Sequence, residues 1–159
     1  MEITFAADPS LGKLAKWLRI LGFDTLYDPV AGANQLKGGV RTERVLLTRT
    51  RRFQRDCPSG SLVFILSNDP VDQLREVIKA LNLSKSDINP FSRCVLCNTP
   101  IEPVQKKAVL GRVPDYVWES ETTFRQCRRC RKIYWPGSHA SRSLERINRL
   151  FDSSQAIDI

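Results

Sequence analysis

The 159-residue chain lacks several things that would place it quickly. No apolar run approaches the ~20 residues that a membrane-spanning helix needs, so no membrane partner is expected. The opening Met1-Glu-Ile-Thr-Phe5 has no basic segment followed by an apolar core, which argues against a secretory signal and for a cytoplasmic protein. Cysteine is sparse and odd in number, at five, and a reduced compartment leaves no disulfide framework to expect. A chain of this length buries roughly two-thirds of its unfolded surface without such a scaffold. Internal repeats and low-complexity segments are absent, and 42% hydrophobic with 26% charged residues excludes wholesale disorder.

Acid is in short supply. Lys and Arg total 25 against 17 Asp and Glu, leaving a formal charge of +8. Such an excess speaks to partners rather than fold, and polyanions such as RNA or DNA lead the list. The excess is uneven: 13 basic against 10 acidic residues through residue 90, and 12 against 7 beyond it.

Residues 1–83 alternate between short apolar runs and helical patterns. Ile3 to Ala7 reads as a buried strand ending at Asp8-Pro9. Leu11, Leu14, Ala15, Leu18 and Leu21 then recur at helical spacing, with Lys13, Lys16 and Arg19 on the other side. Gly22 stops that helix in the manner of a C′ glycine. Phe23–Tyr27, Arg44–Thr48 and Ser61–Leu66 read as further strands, and Val71–Leu83 as a closing helix. Residues 28–42 carry only a weak helical pattern broken by Pro29, Gly32, Gly38 and Gly39. This βα alternation predicts an α/β fold with a mostly parallel sheet flanked by helices. Sites in such sheets lie at the carboxyl ends of strands, which selects Asp8, Asp28, Thr48–Thr50 and Ser67–Asp69 as one face.

Composition shifts near Ser84, and three units are expected: an α/β domain over 1–90, a zinc ribbon over 91–140, and a C-terminal helix and tail over 141–159. Cys94-Val-Leu-Cys97 and Cys127-Arg-Arg-Cys130 are two knuckles with 29 residues between them. A two-residue spacer lets both thiolates of a turn reach one metal, and two turns complete a tetrahedron. Four cysteines make a closed structural site with no open position, so the zinc folds the module and does no chemistry. A redox dithiol and an iron–sulfur cluster are the competing readings, and the basic residues around the knuckles suit zinc and redox alike. Cys57 lies outside the set. The last helix is expected from Ser141 to Phe151, with Leu144, Ile147, Leu150 and Phe151 on one face and Glu145 paired with Arg149.

Phosphodiester hydrolysis on an α/β sheet commonly uses carboxylates converging on Mg²⁺ or Mn²⁺. Asp8, Asp28 and Asp69 are the candidates at the right strand ends. Asp8-Pro9 and Asp69-Pro70 also read as N-caps followed by proline at N1. Capping is the favoured reading for Asp69, and for Asp8 the two readings stand side by side.

Here the residues carry a resemblance. Ile3 to Asp8, the stretch from Leu11 to Tyr27, Arg44-Val-Leu-Leu-Thr-Arg49, both knuckles and Ile133 to His139 together resemble the Mut-seven C-terminal ribonuclease-domain family, from residue 3 to about 150. The resemblance implies a PIN-like nuclease fold with a zinc ribbon at its C-terminal side, and RNA as the substrate class. Asp8 matches the family's first-strand acid. Where the family continues Thr-Arg-Asp, this chain reads Thr48-Arg49-Thr50. Where the family places an acid at the start of the second helix, around Gly32–Asn34, this chain has none. Two expected carboxylates are therefore missing, and a divalent cation needs anionic oxygen.

Positive charge crowds the same region. Arg49, Arg51, Arg52 and Arg55 follow the third strand, and Arg128, Arg129, Arg131 and Lys132 surround the second knuckle, followed by Tyr134. Arginines beside aromatic faces suit single-stranded or looped RNA. Tyr134 and His139 are candidate RNA contacts, while packing of the ribbon and helix capping are their alternative readings. Trp135 is expected to pack, and Trp17 to serve core or interface. Three functions follow: a metal-dependent ribonuclease, a catalytically weakened RNA-binding protein on the same fold, or an interaction adaptor.

Overall fold

The first apolar run is short because Asp8-Pro9 ends it, and the computed structural model, which describes residues 2–30 and 43–154, makes it a three-residue strand, β1 (Phe5–Ala7). Asp8 caps the turn that follows: its carboxylate accepts the Ser10 N–H, and Pro9 occupies the first position of a 3-10 turn over Pro9–Leu11. That turn runs into α1 (Gly12–Ile20), which buries Leu14, Ala15 and Leu18. Gly22 ends it at φ 97°, a backbone conformation that side chains disfavour, and a Cβ there would meet the Asn89 carbonyl oxygen at 2.4 Å. The N–H groups of Asn89 and Phe91 satisfy the last carbonyls of this helix, at Leu21 and Ile20.

Strands β2 (Thr25–Tyr27), β3 (Val45–Thr48) and β4 (Leu62–Phe64) join β1 in one parallel sheet of order β2-β1-β3-β4. Alternation along the strands sends Phe5, Ala7 and Leu47 to one side and Ala6 and Leu46 to the other. α1 and α3 (Pro70–Ala80) cover the first side, and Phe53 of α2 (Phe53–Asp56) packs on the second, with Cys57 half-buried beside it. The α/β class and the flanked parallel sheet expected from the alternation are as observed. The chain leaves β1 for β2 on one side and goes to β3 on the other. The carboxyl ends of β1 and β3 therefore flank the topological switch point, where α/β sheets carry their sites.

Several expected boundaries shift. The fourth strand is shorter than Ser61–Leu66: Leu66 is exposed, and the N–H groups of Leu66 and Ser67 donate to the Glu76 carboxylate instead of a ladder. Asp69 caps α3, accepting the N–H groups of Val71 and Asp72, as the capping reading expected. The weak pattern over 28–42 and the acid-poor stretch at Gly32–Asn34 lie, beyond Val30, outside the described residues.

Past Ser84 the topology changes. β5 (Ile101–Val104), β6 (Phe124–Cys127) and β7 (Ile133–Tyr134) form an antiparallel sheet. The long gap between the knuckles holds more than a loop: a 3-10 turn over Lys106–Val109 and a short helix, α4 (Asp115–Ser120), bury Val109, Val113 and Val117 against Phe124 and Ile133. Trp135 packs on this cluster. The final helix, α5 (Ser138–Ser154), returns to the parallel sheet and buries Ile147, Leu150 and Phe151 in its core. Leu144, expected on the same face, stays 41% exposed and outside this core. Glu145 and Arg149 make no ion pair among the described residues; Asp152 instead meets Lys85 at 2.7 Å. No helix among the described residues is long and apolar enough to cross a membrane.

Candidate metal centre and strand-end site

The two knuckles are built alike. In the first, the Asn98 N–H donates to the Cys94 carbonyl at 2.9 Å and the Cys97 N–H reaches the Cys94 sulfur at 3.4 Å. In the second, the Arg131 N–H donates to the Cys127 carbonyl at 2.9 Å and the Cys130 N–H reaches the Cys127 sulfur at 3.5 Å. Each turn closes on a residue in the left-handed region, Asn98 at φ 62° and Arg131 at φ 65°. The four sulfurs of Cys94, Cys97, Cys127 and Cys130 all lie within 4.8 Å of one another. Four thiolates ~2.3 Å from a common tetrahedral centre sit about 3.8 Å apart. The Cys94–Cys130 sulfur separation is 3.7 Å. The donor set and its spacing therefore fit a structural zinc ion.

Outer groups support the sulfurs. The hydroxyls of Tyr134 and Thr99 lie 3.1 Å from the sulfurs of Cys94 and Cys127. Burial and the nearby Cys94 sulfur push the Tyr134 phenol up, so it stays a donor. Burial raises the Cys127 thiol, but the Thr99 hydroxyl and the N–H groups of Cys130 and Arg129 outweigh it and bring it down to about 6. The Cys97 thiol, hydrogen-bonded to the Cys130 sulfur and crowded by the other three, is pushed up to about 12. Without a cation these thiols resist losing their protons together. A bound Zn²⁺ reverses that and holds four thiolates.

Sequence periodicity put Arg19 on the polar side of α1, and this was wrong. Arg19 is 6% exposed. Its Nη1 donates to the carbonyls of Val95 and Leu96, inside the first knuckle, at 2.9 and 3.1 Å. Its Nε and Nη2 donate to the Thr25 carbonyl of β2 at 3.0 and 2.9 Å. Asn98 closes the junction, accepting the Thr25 N–H at 2.9 Å and donating to the Asp24 carboxylate at 2.7 Å. Asp24 in turn pairs with Arg44 at 2.7 Å. The ribbon is thus fastened to the sheet through carbonyls that the cysteine turn itself presents. Periodicity reports only that an arginine has a helical neighbour on each side, so nothing in the local sequence marks this role.

The strand-end face is different in kind. Asp8 is 6% exposed at the carboxyl end of β1. One carboxylate oxygen accepts the Ser10 N–H and hydroxyl, both at 2.8 Å. The other accepts the hydroxyls of Thr48 at 2.9 Å and Thr50 at 3.3 Å. Burial raises the carboxyl's pKa, but the Ser10 N–H and hydroxyl, the Thr48 hydroxyl and the Arg49 N–H outweigh it and hold it below the ordinary range. Thr50 therefore stands beside Asp8 as a neutral donor. Asp28 is exposed and accepts the Val30 N–H at 2.8 Å, and Asp69 is the exposed cap of α3. Among the described residues the only group of three or more His, Cys, Asp or Glu with converging ligand atoms is the cysteine cluster. The three candidate carboxylates do not form such a group. A single carboxylate already taken up by four neutral donors does not fit a Mg²⁺ or Mn²⁺ pair.

Of the other basic candidates, Arg49, Arg51, Arg52 and Arg55 are exposed beside this end, with Arg52 over the Phe53 ring. Arg128 pairs with Glu102, Arg129 and Arg131 are exposed, and Lys132 lies over the Tyr134 ring at 5.5 Å. His139 is exposed in the first turn of α5. The Tyr134 ring is half-buried against the cysteines rather than presented freely.

Compared with known proteins, residues 3–147 match the family model of the Mut7-C RNAse domain. No curated protein and no solved structure matches the chain.

Proposed function

The chain belongs to the Mut7-C RNAse-domain family, and from that premise we propose that it binds RNA on a PIN-like scaffold whose hydrolytic centre no longer holds a catalytic metal. The observation that carries the reading is the closure of Asp8. Ser10, Thr48 and Thr50 give its carboxylate four neutral hydrogen bonds, and no second carboxylate converges with it among the described residues. In this reading Asp8 joins the ends of β1 and β3 and caps the turn into α1. Its one ionised carboxylate is engaged by neutral donors, and it lacks the second carboxylate that would help hold a divalent cation.

The positive balance then has a use. The exposed arginines from Arg49 to Arg55 adjoin an end that has lost negative charge, and such a face attracts phosphate. Arg129, Arg131 and Lys132 add a second basic area on the ribbon. The zinc ion holds the ribbon and takes no part in chemistry, and four reduced cysteines suit a cytoplasmic setting.

The experiment is binding of a labelled single-stranded RNA over a range of salt concentrations. Affinity falling linearly in log–log form with salt supports the reading, and the absence of binding overturns it. Family membership favours a second reading, a metal-dependent ribonuclease in which Asp8, assisted by Asp28 or Asp69, holds one Mg²⁺ or Mn²⁺. RNA cleavage that requires Mn²⁺ and disappears in Asp8→Asn would establish it instead.

A further inference from the structure

The arginine clusters do not account for a second basic surface, a groove lined by cations. Two adjoining clefts, of about 360 and 440 Å³, run along α1 and share Lys13, Lys16 and Pro70. The second begins at Pro9 and Ser10, and Ser10 is hydrogen-bonded to Asp8, so the groove opens at the switch point of the sheet. The first ends at Arg146 on α5. From the RNA-binding reading above, we infer that this groove between α1, α3 and α5 is the path of a single RNA strand leaving the strand-end face.

Three observations converge. First, Lys13, Lys16 and Arg146 are exposed cations and none makes an ion pair or hydrogen bond among the described residues. These three line one groove and leave their charges free to meet phosphate. The single acid on the lining, Asp69, is occupied as the α3 cap. Second, Trp17 lines the groove with the two lysines and the arginine, half-buried, and packs against the core. Cations beside a fixed aromatic ring are the combination that single-stranded nucleic acid uses, phosphates to the charges and a base on the ring. Third, α5 extends the charge beyond the groove: Arg142, Arg146 and Arg149 recur at i, i+4 and i+7, one stripe of the helix. The stripe flanks the face that carries Ile147 and Leu150 into the core, and its Arg146 lines the cleft with Lys13 and Lys16 of α1.

The groove has a direction. A strand crossing the carboxyl end of the sheet meets Arg49 to Arg55 past β3, passes Asp8, and enters along Lys13 and Lys16 towards Arg146. Trp17 takes a base near the far end.

The test uses the full chain, zinc-loaded, and a fluorescein-labelled single-stranded RNA of mixed sequence, read by anisotropy across salt concentrations. Lys13→Gln/Lys16→Gln/Arg146→Gln alters only exposed side chains. Its salt slope should fall by about 2, the release expected for three phosphate contacts on a single strand. Trp17→Leu should weaken binding roughly tenfold with the slope unchanged, because stacking releases no counterions. Polyglutamate serves as the probe for an acidic protein partner. If wild type binds RNA and the triple variant keeps its affinity and slope, the groove is overturned while the RNA-binding reading stands. If polyglutamate binds through the same three cations as tightly as RNA, and Trp17→Leu has no effect, the occupant is an acidic protein segment and the RNA path is overturned. If wild type binds no RNA, the underlying reading falls and the groove falls with it.

Discussion

The cysteine cluster and the Asp8 strand end are both small polar sites held by short turns, yet they differ in what they ask of a ligand. At the cysteines four soft donors converge, and every neighbouring hydrogen bond leaves the cluster short of one cation. At Asp8 one carboxylate meets four donors, three of them hydroxyls, and is short of nothing. The difference teaches that a metal site needs several donors converging on one point. The cysteines converge on one point, whereas at the strand end Thr50 stands beside Asp8 as a neutral donor and no second carboxylate converges among the described residues.

The comparison can be broken most severely at the cysteines. Cys127→Ser, or a strong chelator, should release the metal and unfold the ribbon, since structural zinc contributes on the order of 10 kcal/mol to folding small modules. Elemental analysis and loss of dispersion in the ribbon's amide signals check this. Zinc retained by Cys127→Ser would contradict the four-ligand site.

Arg19→Ala should cost about 3 kcal/mol in denaturant unfolding, because it strands the carbonyls of Val95, Leu96 and Thr25 in a buried junction. Arg19→Lys should recover only part of this, as an ammonium cannot span both carbonyl groups. A cost within a few tenths would mean that the ribbon docks by other means.

Thr50→Asp puts a second carboxylate beside Asp8. Without divalent cation it should destabilise by about 2 kcal/mol through like-charge repulsion. Mn²⁺ should then raise its melting temperature in a concentration-dependent way, while leaving wild type unchanged. Equal responses of the two proteins to Mn²⁺ would erase the proposed difference between the sites.

Asp8→Asn should cost about 1 kcal/mol at neutral pH, the net value of hydrogen bonds to a charged acceptor partly replaced by an amide. The Asp8 carboxyl lies below its ordinary range, so its stabilisation is complete above about pH 4, the unfolded value, and is lost as pH falls through the folded value. Wild type and variant should therefore converge in stability on acidification below pH ~4. A gap that persists there would place the effect outside the carboxylate.

The sequence made some of this readable and hid the rest for physical reasons. Period-two and period-3.6 runs revealed the βα alternation, and knuckle spacing revealed the metal centre, because both signals are local. Strand order and the switch point between β1 and β3 depend on which strand each crossover reaches, which spacing does not record. The hydroxyl cage of Ser10, Thr48 and Thr50 was hidden because neutral residues carry no charge pattern; only the departure at Thr50 hinted at it. Arg19 was misread because its partners are backbone carbonyls, two of them more than 70 residues away, and carbonyls leave no mark on the sequence pattern. The small core of Val109, Val113 and Val117 was not anticipated in the gap between the knuckles, because these valines lie on a 3-10 turn, a bend and a short helix that share no single period.

The central claim is that Asp8 anchors two strands and does not hold a catalytic metal. Its most direct test is incubation of the full, zinc-loaded chain with end-labelled single-stranded RNA in Mn²⁺, resolved on a sequencing gel. The account predicts RNA that is bound and remains intact; cleavage that needs Mn²⁺ and vanishes in Asp8→Asn would contradict it.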